Sequence, residues 1–327
     1  MRVLVTGGAG YIGSFTVDAL QAVGHDVVVF DNLTYGHREA VSAEIVVGDL
    51  ADEALLQECL AKRSFEAVIH FAGSIEAGLS MVEAGRFFSN NVSNSITLFN
   101  AAQRAGIEQI VFSSSAGVYG NPERVPINET DATVPINAYA ETKLLVERIL
   151  AWYEKVHGLR SVSLRYFNAA GAALDGSKGQ DHQPATHILS VAIETALGQR
   201  DAFPLFGENY DTPDGTCIRD YIHVLDLASA HVMALRYLTD GDPNAVLNVG
   251  AGRGYSNREV IASVRRVGGV DFPVEIHARR PGDPSQLIAD VNGIRQVLGW
   301  RAEHSELDTI VGSAWEWQKA HPHGYAS

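Results

Sequence analysis

The sequence is poor in cysteine and has no long apolar run, and each shortage excludes a class of protein. Of its 327 residues only Cys59 and Cys217 are cysteines, and they lie far apart, outside any Cys-x-x-Cys spacing. This argues against a disulfide framework and a zinc site, so we expect no metal. No apolar run approaches the ~18 residues that span a bilayer, and the few apolar residues before the first turn lead us to expect no signal peptide. We therefore expect a cytoplasmic protein without a membrane partner.

Positive charge is scarce as well. The chain has 25 Lys and Arg against 39 Asp and Glu, which leaves a net charge of −14. An acidic surface of this kind repels the phosphates of nucleic acids and of anionic membranes, so we expect no nucleic-acid partner. Proline is infrequent, with 11 residues, and 46% of the chain is apolar, which is typical of a folded globular protein.

The first third of the chain alternates short apolar runs with amphipathic helical patterns. We predict strands at 3–5, 27–30, 45–47, 67–70 and 110–112, and helices at 12–23, 53–62 and 91–105. Apolar strands of this length suit a parallel sheet that is buried on both faces. The alternation predicts an α/β protein with a doubly wound parallel sheet of the Rossmann type.

The pattern of the sequence changes after this alternation. The pattern predicts a long helix at 138–157, with Asn137 as its N-cap, and a strand at 161–165. Polar, turn-forming stretches then occupy 171–185 and 207–215. We therefore predict a first domain at 1–170 and a second, smaller mixed α/β domain at 171–327, with some segments returning to the first.

A glycine-rich turn joins the first predicted strand to the first predicted helix. The segment 6–13 contains both Gly-x-Gly-x-x-Gly, at Gly8, Gly10 and Gly13, and Gly-x-x-Gly-x-x-Gly, which starts at Gly7. Such spacing lets the backbone approach a pyrophosphate at a helix N-terminus, where N–H donors are free. The alternative is a tight turn without a ligand.

Asp31 strengthens the nucleotide interpretation. It ends the second predicted strand 18 residues after Gly13, close to the ~20 expected of an acid that accepts the hydroxyls of an adenosine ribose. A carboxylate at that point repels a 2′-phosphate, which favours NAD over NADP. The alternative is an acid that belongs only to the following turn.

Tyr139 and Lys143 lie four residues apart in the long predicted helix and therefore share one face. A neighbouring ammonium, together with a nicotinamide cation, favours the phenolate and moves the phenol pKa toward the working range of a general base. The strand at 110–112 runs into three serines, 113–115, at the edge where parallel strands present polar groups to a ligand. Taken alone, this Tyr-Lys spacing is more typical of an amphipathic helix with an exposed lysine.

In this order, the glycine turn, Asp31, the serines and the Tyr-Lys pair resemble the extended short-chain dehydrogenase/reductase family, and within it the UDP-glucose 4-epimerases. The resemblance extends over nearly the whole chain. Further segments that carry it are 48–50, 70–73, 90–92, 112–120, 164–168, 219–224, 247–250 and 280–283. It implies NAD as cofactor, a UDP-sugar as substrate and a homodimer, with an NAD-binding domain at 1–170 and a UDP-sugar-binding domain at 171–327.

The resemblance also implies site residues. The catalytic residues are Ser115, Tyr139 and Lys143. With the glycine turn, the cofactor-binding residues are Gly7, Gly10, Tyr11, Ile12, Gly13, Asp31, Asn32, Asp49, Leu50, Phe71, Ala72, Gly73, Asn90, Tyr139, Lys143 and Phe167. The substrate-binding residues are Ser115, Asn168, His187, Phe206, Arg219, Arg280 and Asp283. Surface ion pairs and core packing are the alternatives for the arginines, Asp283 and Phe206.

The activity implied is reversible inversion at C4 of a UDP-hexose, UDP-galactose to UDP-glucose, by transient oxidation to a 4-keto sugar. Alternatives are a 4-epimerase for UDP-N-acetylhexosamines or UDP-pentoses, a net NAD-dependent dehydrogenase and a non-catalytic NAD-binding regulator. One departure is Ile75, which stands where many of these epimerases carry a lysine that contacts the cofactor. The sequence leaves the preferred sugar open.

Overall fold

A computed structural model describes residues 1–182, 184–280 and 283–325. The strands in this part of the chain are β1 (Arg2–Thr6), β2 (Asp26–Asp31), β3 (Glu44–Val47), β4 (Ala67–His70), β5 (Gln109–Ser115), β6 (Arg160–Tyr166), β7 (Asn168–Ala170), β8 (Phe203–Phe206), β9 (Ile218–His223), β10 (Ala245–Val249), β11 (Gly254–Ser256), β12 (Val274–His277) and β13 (Gln286–Leu287). The α-helices there are α1 (Tyr11–Ala22), α2 (Glu53–Arg63), α3 (Ala77–Ser80), α4 (Ala84–Phe87), α5 (Asn94–Arg104), α6 (Ala138–His157), α7 (Ile188–Ala196), α8 (Val224–Thr239), α9 (Asn257–Gly268), α10 (Asn292–Leu298) and α11 (Leu307–Ala320).

Seven strands form one parallel sheet in the order β10-β6-β5-β4-β1-β2-β3. The chain runs outward from β1 through β2 and β3, and then returns to the other side of β1 with β4. Strand order therefore reverses between β1 and β4, and ligands bind at such a point in doubly wound sheets. The predicted α/β fold class, a doubly wound parallel sheet with a smaller second part, is confirmed.

Both faces of the sheet are buried because its strands are apolar throughout. On β1, Val3 and Val5 pack into a cluster that also contains residues of α1 and α8, whereas Leu4 points into a cluster with residues of α2 and α5. All three side chains are fully buried. Successive residues of a strand point to opposite faces, so a run of valine and leucine fills both cores at once.

The second half of the chain builds a separate core and also contributes to the sheet. Residues of α7, α9 and α11 share a cluster with β8 and β9. In contrast, β10 pairs with β6, and α8 packs on α1. Within the described residues, no helix is both long and apolar enough to cross a membrane.

Most predicted boundaries agree with the structure to within one residue, and two differ by three residues. The strand predicted at 110–112 continues to Ser115, so the serines end β5 and pair with β6. The helix predicted at 91–105 begins at Asn94, because a π-helical turn at Phe88–Ser93 precedes it. By contrast, α6 has the predicted bounds, and Asn137 caps it by accepting from the Ala140 N–H at 2.8 Å.

A buried ion pair ties α6 to the sheet. The guanidinium of Arg165 on β6 donates to both carboxylate oxygens of Glu147 on α6, at 3.0 and 2.6 Å, and the two side chains are 7% and 5% exposed. Ser114 on β5 also donates to Glu147, and Arg165 donates to the Tyr119 hydroxyl at 2.9 Å. Because α6 carries Tyr139 and Lys143, this network sets the position of that helix.

Removing one member of this pair leaves a buried charge without a partner. We expect Arg165→Met to lower the free energy of unfolding by about 3–5 kcal/mol in urea denaturation. Arg104→Met is the matched control, since Arg104 pairs with Glu53 at 2.5 Å but both side chains are 52% exposed. That variant should lose less than about 1 kcal/mol. Equal losses in the two variants would contradict a structural role for the buried pair.

Candidate active site

One cavity of about 1070 Å³ opens at the carboxyl ends of the central strands, where the strand order reverses. It is lined by residues of both halves of the chain. Every residue of the predicted site lines it: Gly7, Gly10, Tyr11, Ile12, Gly13, Asp31, Asn32, Asp49, Leu50, Phe71, Ala72, Gly73, Asn90, Ser115, Tyr139, Lys143, Phe167, Asn168, His187, Phe206, Arg219, Arg280 and Asp283. Their individual roles stay predictions, but the fold brings all of them to one place.

In the glycine turn, backbone segments lie in close contact with one another. Gly7 has φ +69°, and a Cβ added there would lie 2.5 Å from the Ala72 backbone nitrogen. A Cβ added to Gly13 would lie 2.3 Å from the Gly7 carbonyl oxygen. Side chains at these two positions would push β1, α1 and the segment after β4 apart. The tight-turn interpretation of the glycines is therefore correct in part, because they serve packing as well as access to the cavity.

The N-terminus of α1 faces the cavity, and no side chain caps the partial positive charge of its helix dipole. Gly10 is the N-cap, no side chain caps the helix, and no acidic residue lies in its first turn. Free N–H groups and the helix dipole favour an anion at such an end. The donors present thus fit a pyrophosphate.

Asp31 ends β2 beside this turn and is 7% exposed. Its two carboxylate oxygens accept from the backbone N–H groups of Ala9, at 2.9 Å, and Leu33, at 2.8 Å. Burial raises the pKa of this carboxyl, and the two N–H donors oppose that rise. The bond to Leu33 makes Asp31 a turn acid, as the alternative interpretation held, and each oxygen keeps a lone pair for a ribose hydroxyl.

Tyr139 and Lys143 occupy the first two turns of α6 and face the cavity with Ser115. The Lys143 ammonium is 5.9 Å from the centre of the Tyr139 ring and donates to the Ser113 carbonyl at 2.8 Å. Lys143 is 4% exposed, so it is a buried group and not the exposed lysine of an ordinary amphipathic helix.

In the chain alone, burial determines the pKa shifts of this pair. Burial raises the pKa of the Tyr139 phenol, and the Ser115 hydroxyl opposes that rise. Burial also lowers the pKa of Lys143 to about 8. With the chain's own groups alone, Tyr139 is a neutral phenol at pH 7, because desolvation disfavours the phenolate more than the surrounding groups favour it.

The opposite wall carries the predicted substrate residues. The guanidinium of Arg219 pairs with Asp283 at 2.5 Å, and that of Arg280 lies 4.0 Å from the centre of the Phe206 ring. An ion pair at Arg219 was one alternative to a binding role, but its side chain is 10% exposed and lies in the cavity wall, not at the surface. Pro281 and Gly282, between the two predicted residues Arg280 and Asp283, lie outside the described residues.

His187 immediately precedes α7, and its Nδ1 lies 2.8 Å from the Gln180 amide nitrogen. An amide N–H can only donate, so Nδ1 accepts and the neutral ring carries its proton on Nε2. Burial lowers the pKa of His187, with a smaller contribution from His182. The neutral side chain is therefore a hydrogen-bond donor through Nε2.

Several cavity residues escaped the sequence prediction. Tyr35, Arg86, Tyr166, His182 and Tyr221 also line the cavity. Tyr166 precedes Phe167, and Tyr221 lies two residues after Arg219, both within segments that carry the family resemblance. Their position in those segments could therefore have identified them. No local motif marks Arg86 or His182, which reach the cavity only through the fold. Ile75, the departure noted above, lines the cavity as an apolar side chain.

No metal centre is apparent in the parts of the chain that the structure covers. Residues 1–182, 184–280 and 283–325 contain no group of three or more His, Cys, Asp or Glu side chains placed to hold an ion.

Comparison with known proteins agrees with the fold. The model of the NAD dependent epimerase/dehydratase family matches residues 3–250. UDP-glucose 4-epimerase from Azospirillum brasilense is 50% identical over 321 residues, covering 98% of this chain and 92% of that protein. The crystal structure of UDP-glucose 4-epimerase from Brucella ovis in complex with NAD is 46% identical, with a TM-score of 0.94, and covers 96% of this chain and 97% of that one. UDP-glucose 4-epimerase from Bifidobacterium longum, solved with NAD+ and UDP, is 35% identical, with a TM-score of 0.95, and covers 99% of this chain and all of that one.

The parallel sheet, the open helix end at its reversal point and the large cavity between the two halves define a doubly wound α/β protein of the dinucleotide-binding class. More particularly, the chain belongs to the NAD dependent epimerase/dehydratase family. The resemblance to UDP-glucose 4-epimerases in the sequence is thereby confirmed.

The contacts of Gly7 lead to a stability prediction. Gly7→Ala introduces both a strained φ and an overlap with the Ala72 backbone, so we expect a loss of about 3 kcal/mol or more in the free energy of unfolding. Gly106→Ala is the matched control, since Gly106 has φ +76° and open space around its Cα. It should lose about 1–2 kcal/mol from the backbone conformation alone. Equal losses in urea denaturation would show that Ala72 does not restrict the turn.

Proposed function

We propose that this protein catalyses reversible inversion at C4 of a UDP-hexose, interconverting UDP-galactose and UDP-glucose, with NAD held in the cavity. The observation that carries the proposal is that Ser115, Tyr139 and Lys143 line the same cavity as the glycine turn and as Arg219. Relatives named for this activity match almost the whole chain, which supports it.

The cofactor end of the cavity suits NAD. The α1 N-terminus and Gly10 receive the pyrophosphate, Asp31 accepts from the adenosine ribose, and Asp49 and Leu50 border the adenine. A carboxylate at Asp31 is unfavourable for a 2′-phosphate, which favours NAD over NADP. Asn32, Phe71, Ala72, Gly73, Asn90 and Phe167 complete the proposed set. When bound, NAD supplies a hydride acceptor and donor for C4 and, in its oxidised form, a positive charge within the cavity.

Tyr139 is the proposed base and acid for the 4-hydroxyl. As phenolate it takes the hydroxyl proton when C4 is oxidised, and it returns the proton when the 4-keto sugar is reduced on its other face. Lys143 stabilises the phenolate electrostatically, and Ser115 donates a hydrogen bond to the oxygen at C4. Because burial opposes the phenolate, positive charge must accumulate in the cavity before Tyr139 ionises.

Residues of the opposite wall hold the UDP group. Arg219 and Arg280 bind the diphosphate, because a guanidinium fork matches phosphate oxygens. Asp283 accepts from the uridine ribose, and Phe206 borders the uracil, while Asn168 and His187 donate hydrogen bonds. With the nucleotide fixed, the 4-keto sugar is able to turn over without leaving the cavity, so binding energy from a part that does not react restrains the intermediate.

The two halves divide this work. Residues 1–170 form the NAD-binding domain and residues 171–327 the UDP-sugar-binding domain, with α8 and β10 returning to the first. We also place the protein in the cytoplasm, where its two free, buried cysteines stay reduced. Its partners are the small-molecule substrate and a second copy of the chain, and not nucleic acid or membrane.

The homodimer proposal rests on the outward face of α6. Trp152 is 64% exposed and Val156 is 65% exposed there, and Leu145 and Ile149 on the same face are partly exposed. These residues follow one another at three- and four-residue spacing, so they form one apolar stripe on a long helix. A second copy of α6 would cover that stripe, with α5 beside it.

Removing the Tyr139 hydroxyl tests the chemistry. We expect the wild-type protein, purified with its NAD, to convert UDP-galactose in an assay coupled to UDP-glucose oxidation. Parallel assays with UDP-N-acetylgalactosamine and UDP-arabinose identify the preferred sugar. Tyr139→Phe should lose at least about 10²-fold in kcat, because the proton of the 4-hydroxyl then has no acceptor, while the variant keeps its fold and bound NAD.

Tyr153→Phe is the matched control for this variant. Tyr153 lies on the same helix but points away from the cavity and donates to Asn100 at 2.6 Å. Its turnover should stay near that of the wild type. Near-normal turnover in Tyr139→Phe, or full activity in protein from which all NAD has been removed, would overturn the mechanism.

A charge on the apolar stripe tests the dimer. Trp152→Glu should convert a dimer to a monomer in sedimentation equilibrium, since a buried carboxylate without a partner opposes association. The control is Val23→Glu, at a residue that is 59% exposed just after α1 and outside the stripe. A wild-type protein that sediments as a monomer contradicts the proposal, and so does a Trp152→Glu variant that remains dimeric.

A further inference from the structure

A histidine buried behind the cavity wall has no part in the mechanism above. His231 lies in the middle of α8 and is completely buried. Its ring lies 4.6 Å, centre to centre, from the ring of Phe71, a wall of the cavity. Its two nitrogens have different partners: Nδ1 is 2.8 Å from the Leu227 carbonyl oxygen, and Nε2 is 2.7 Å from the hydroxyl of Tyr166.

These partners determine which nitrogen carries the proton. A carbonyl oxygen can only accept, so Nδ1 donates to Leu227. Burial lowers the pKa of His231 to about 4, so the ring is neutral at pH 7 and has one proton only. Nε2 is therefore an acceptor, and the Tyr166 hydroxyl donates to it.

This assignment has a consequence for Tyr166, which ends β6 directly opposite Ser115 on β5. Tyr166 is 7% exposed and lines the cavity together with Ser113 and Tyr139. Because its only proton is engaged by His231, the remaining lone pairs of its oxygen can only accept. One of these lone pairs accepts from the Ser113 hydroxyl, and the other is open to the cavity. Burial raises the pKa of Tyr166 well above the usual value and outweighs the Ser113 hydrogen bond, so Tyr166 stays a neutral phenol while Tyr139 performs the proton transfer.

We infer that His231 is a positioning residue that holds Tyr166 as a hydrogen-bond acceptor at the reacting end of the cavity. The inference deepens the proposed function and rests on it, since the donors Tyr166 would receive are N–H or O–H groups of the cofactor or of the sugar. His231 acts through Tyr166 and does not touch either ligand. It also supports the Phe71 wall, so one buried ring aligns two side chains of the site.

The tautomer itself is a readout that needs no activity. In protein labelled with ¹⁵N-histidine, the nitrogen resonances of His231, assigned by their absence in His231→Gln, should show a protonated Nδ1 and an unprotonated Nε2. Tyr166→Phe should shift the Nε2 resonance, because that nitrogen loses its donor. A protonated Nε2 in the wild type, or no shift in Tyr166→Phe, would overturn the inference even in a protein whose substrate proved to be different.

Kinetics then separate positioning from simple stability. We expect His231→Leu and Tyr166→Phe each to lower kcat about tenfold with little change in KM, as loss of one buried hydrogen bond implies. The double variant should be no slower than Tyr166→Phe alone, since both changes remove the same interaction. His231→Gln should recover part of the rate, because its amide oxygen is able to accept from Tyr166.

Tyr255→Phe is the matched control. Tyr255 is 5% exposed, against 7% for Tyr166, and donates to Glu306 at 3.4 Å, but it does not line the cavity. It should keep its kcat. Losses that multiply in the double variant, or an equal loss of kcat in Tyr255→Phe, would show that His231 acts as a general core residue. If the His231→Leu protein does not fold, the isosteric Tyr166→Phe and His231→Gln variants still decide the question.

Discussion

The site depends on the parallel register of the central strands. Thr6 pairs with His70 and His70 with Phe112, so β1 and β4 end at one level, while β5 and β6 run three residues further and end at the pair Ser115 and Tyr166. Parallel strands present their carboxyl ends at one edge, and here the glycine turn, the segment after β4 and the serines all follow those ends. A strand running in the opposite direction would send its part of the site to the far side of the sheet.

Burial gives this cavity its chemistry as much as its residue types do. Desolvation raises the pKa of Tyr139 and lowers that of Lys143 to about 8, so at pH 7 a neutral phenol lies beside an ammonium until a ligand changes the local charge. The same burial keeps His231 neutral, which allows it to accept from Tyr166. Two phenols can thus lie on one cavity wall and have different functions. A neighbouring group determines the role of each phenol: the Lys143 ammonium for Tyr139 and the His231 imidazole for Tyr166.

The cavity also explains how a protein of net charge −14 can suit an anionic ligand. The open end of α1 and the guanidiniums of Arg219 and Arg280 are local positive features inside an acidic surface. Over a few ångströms these groups outweigh distant charges, which salt screens beyond roughly 10 Å. The net charge therefore accounts for the repulsion of long polyanions, whereas the local positive groups determine which ligand the cavity can bind.

By itself the sequence determined the alternation of strands and helices, the bounds of α6, the glycine turn and the residues that resemble a known family, because these are local patterns with a fixed spacing. Only the tertiary structure decided that Ser113–Ser115 belong to β5, that Asp31 is at once a turn acid and a cavity wall, and that burial raises the Tyr139 pKa. It also brought Arg86, His182 and His231 to the site or behind it. Those contacts join residues far apart in the chain. The pattern of residues within one segment does not reveal which other segment will pack against it.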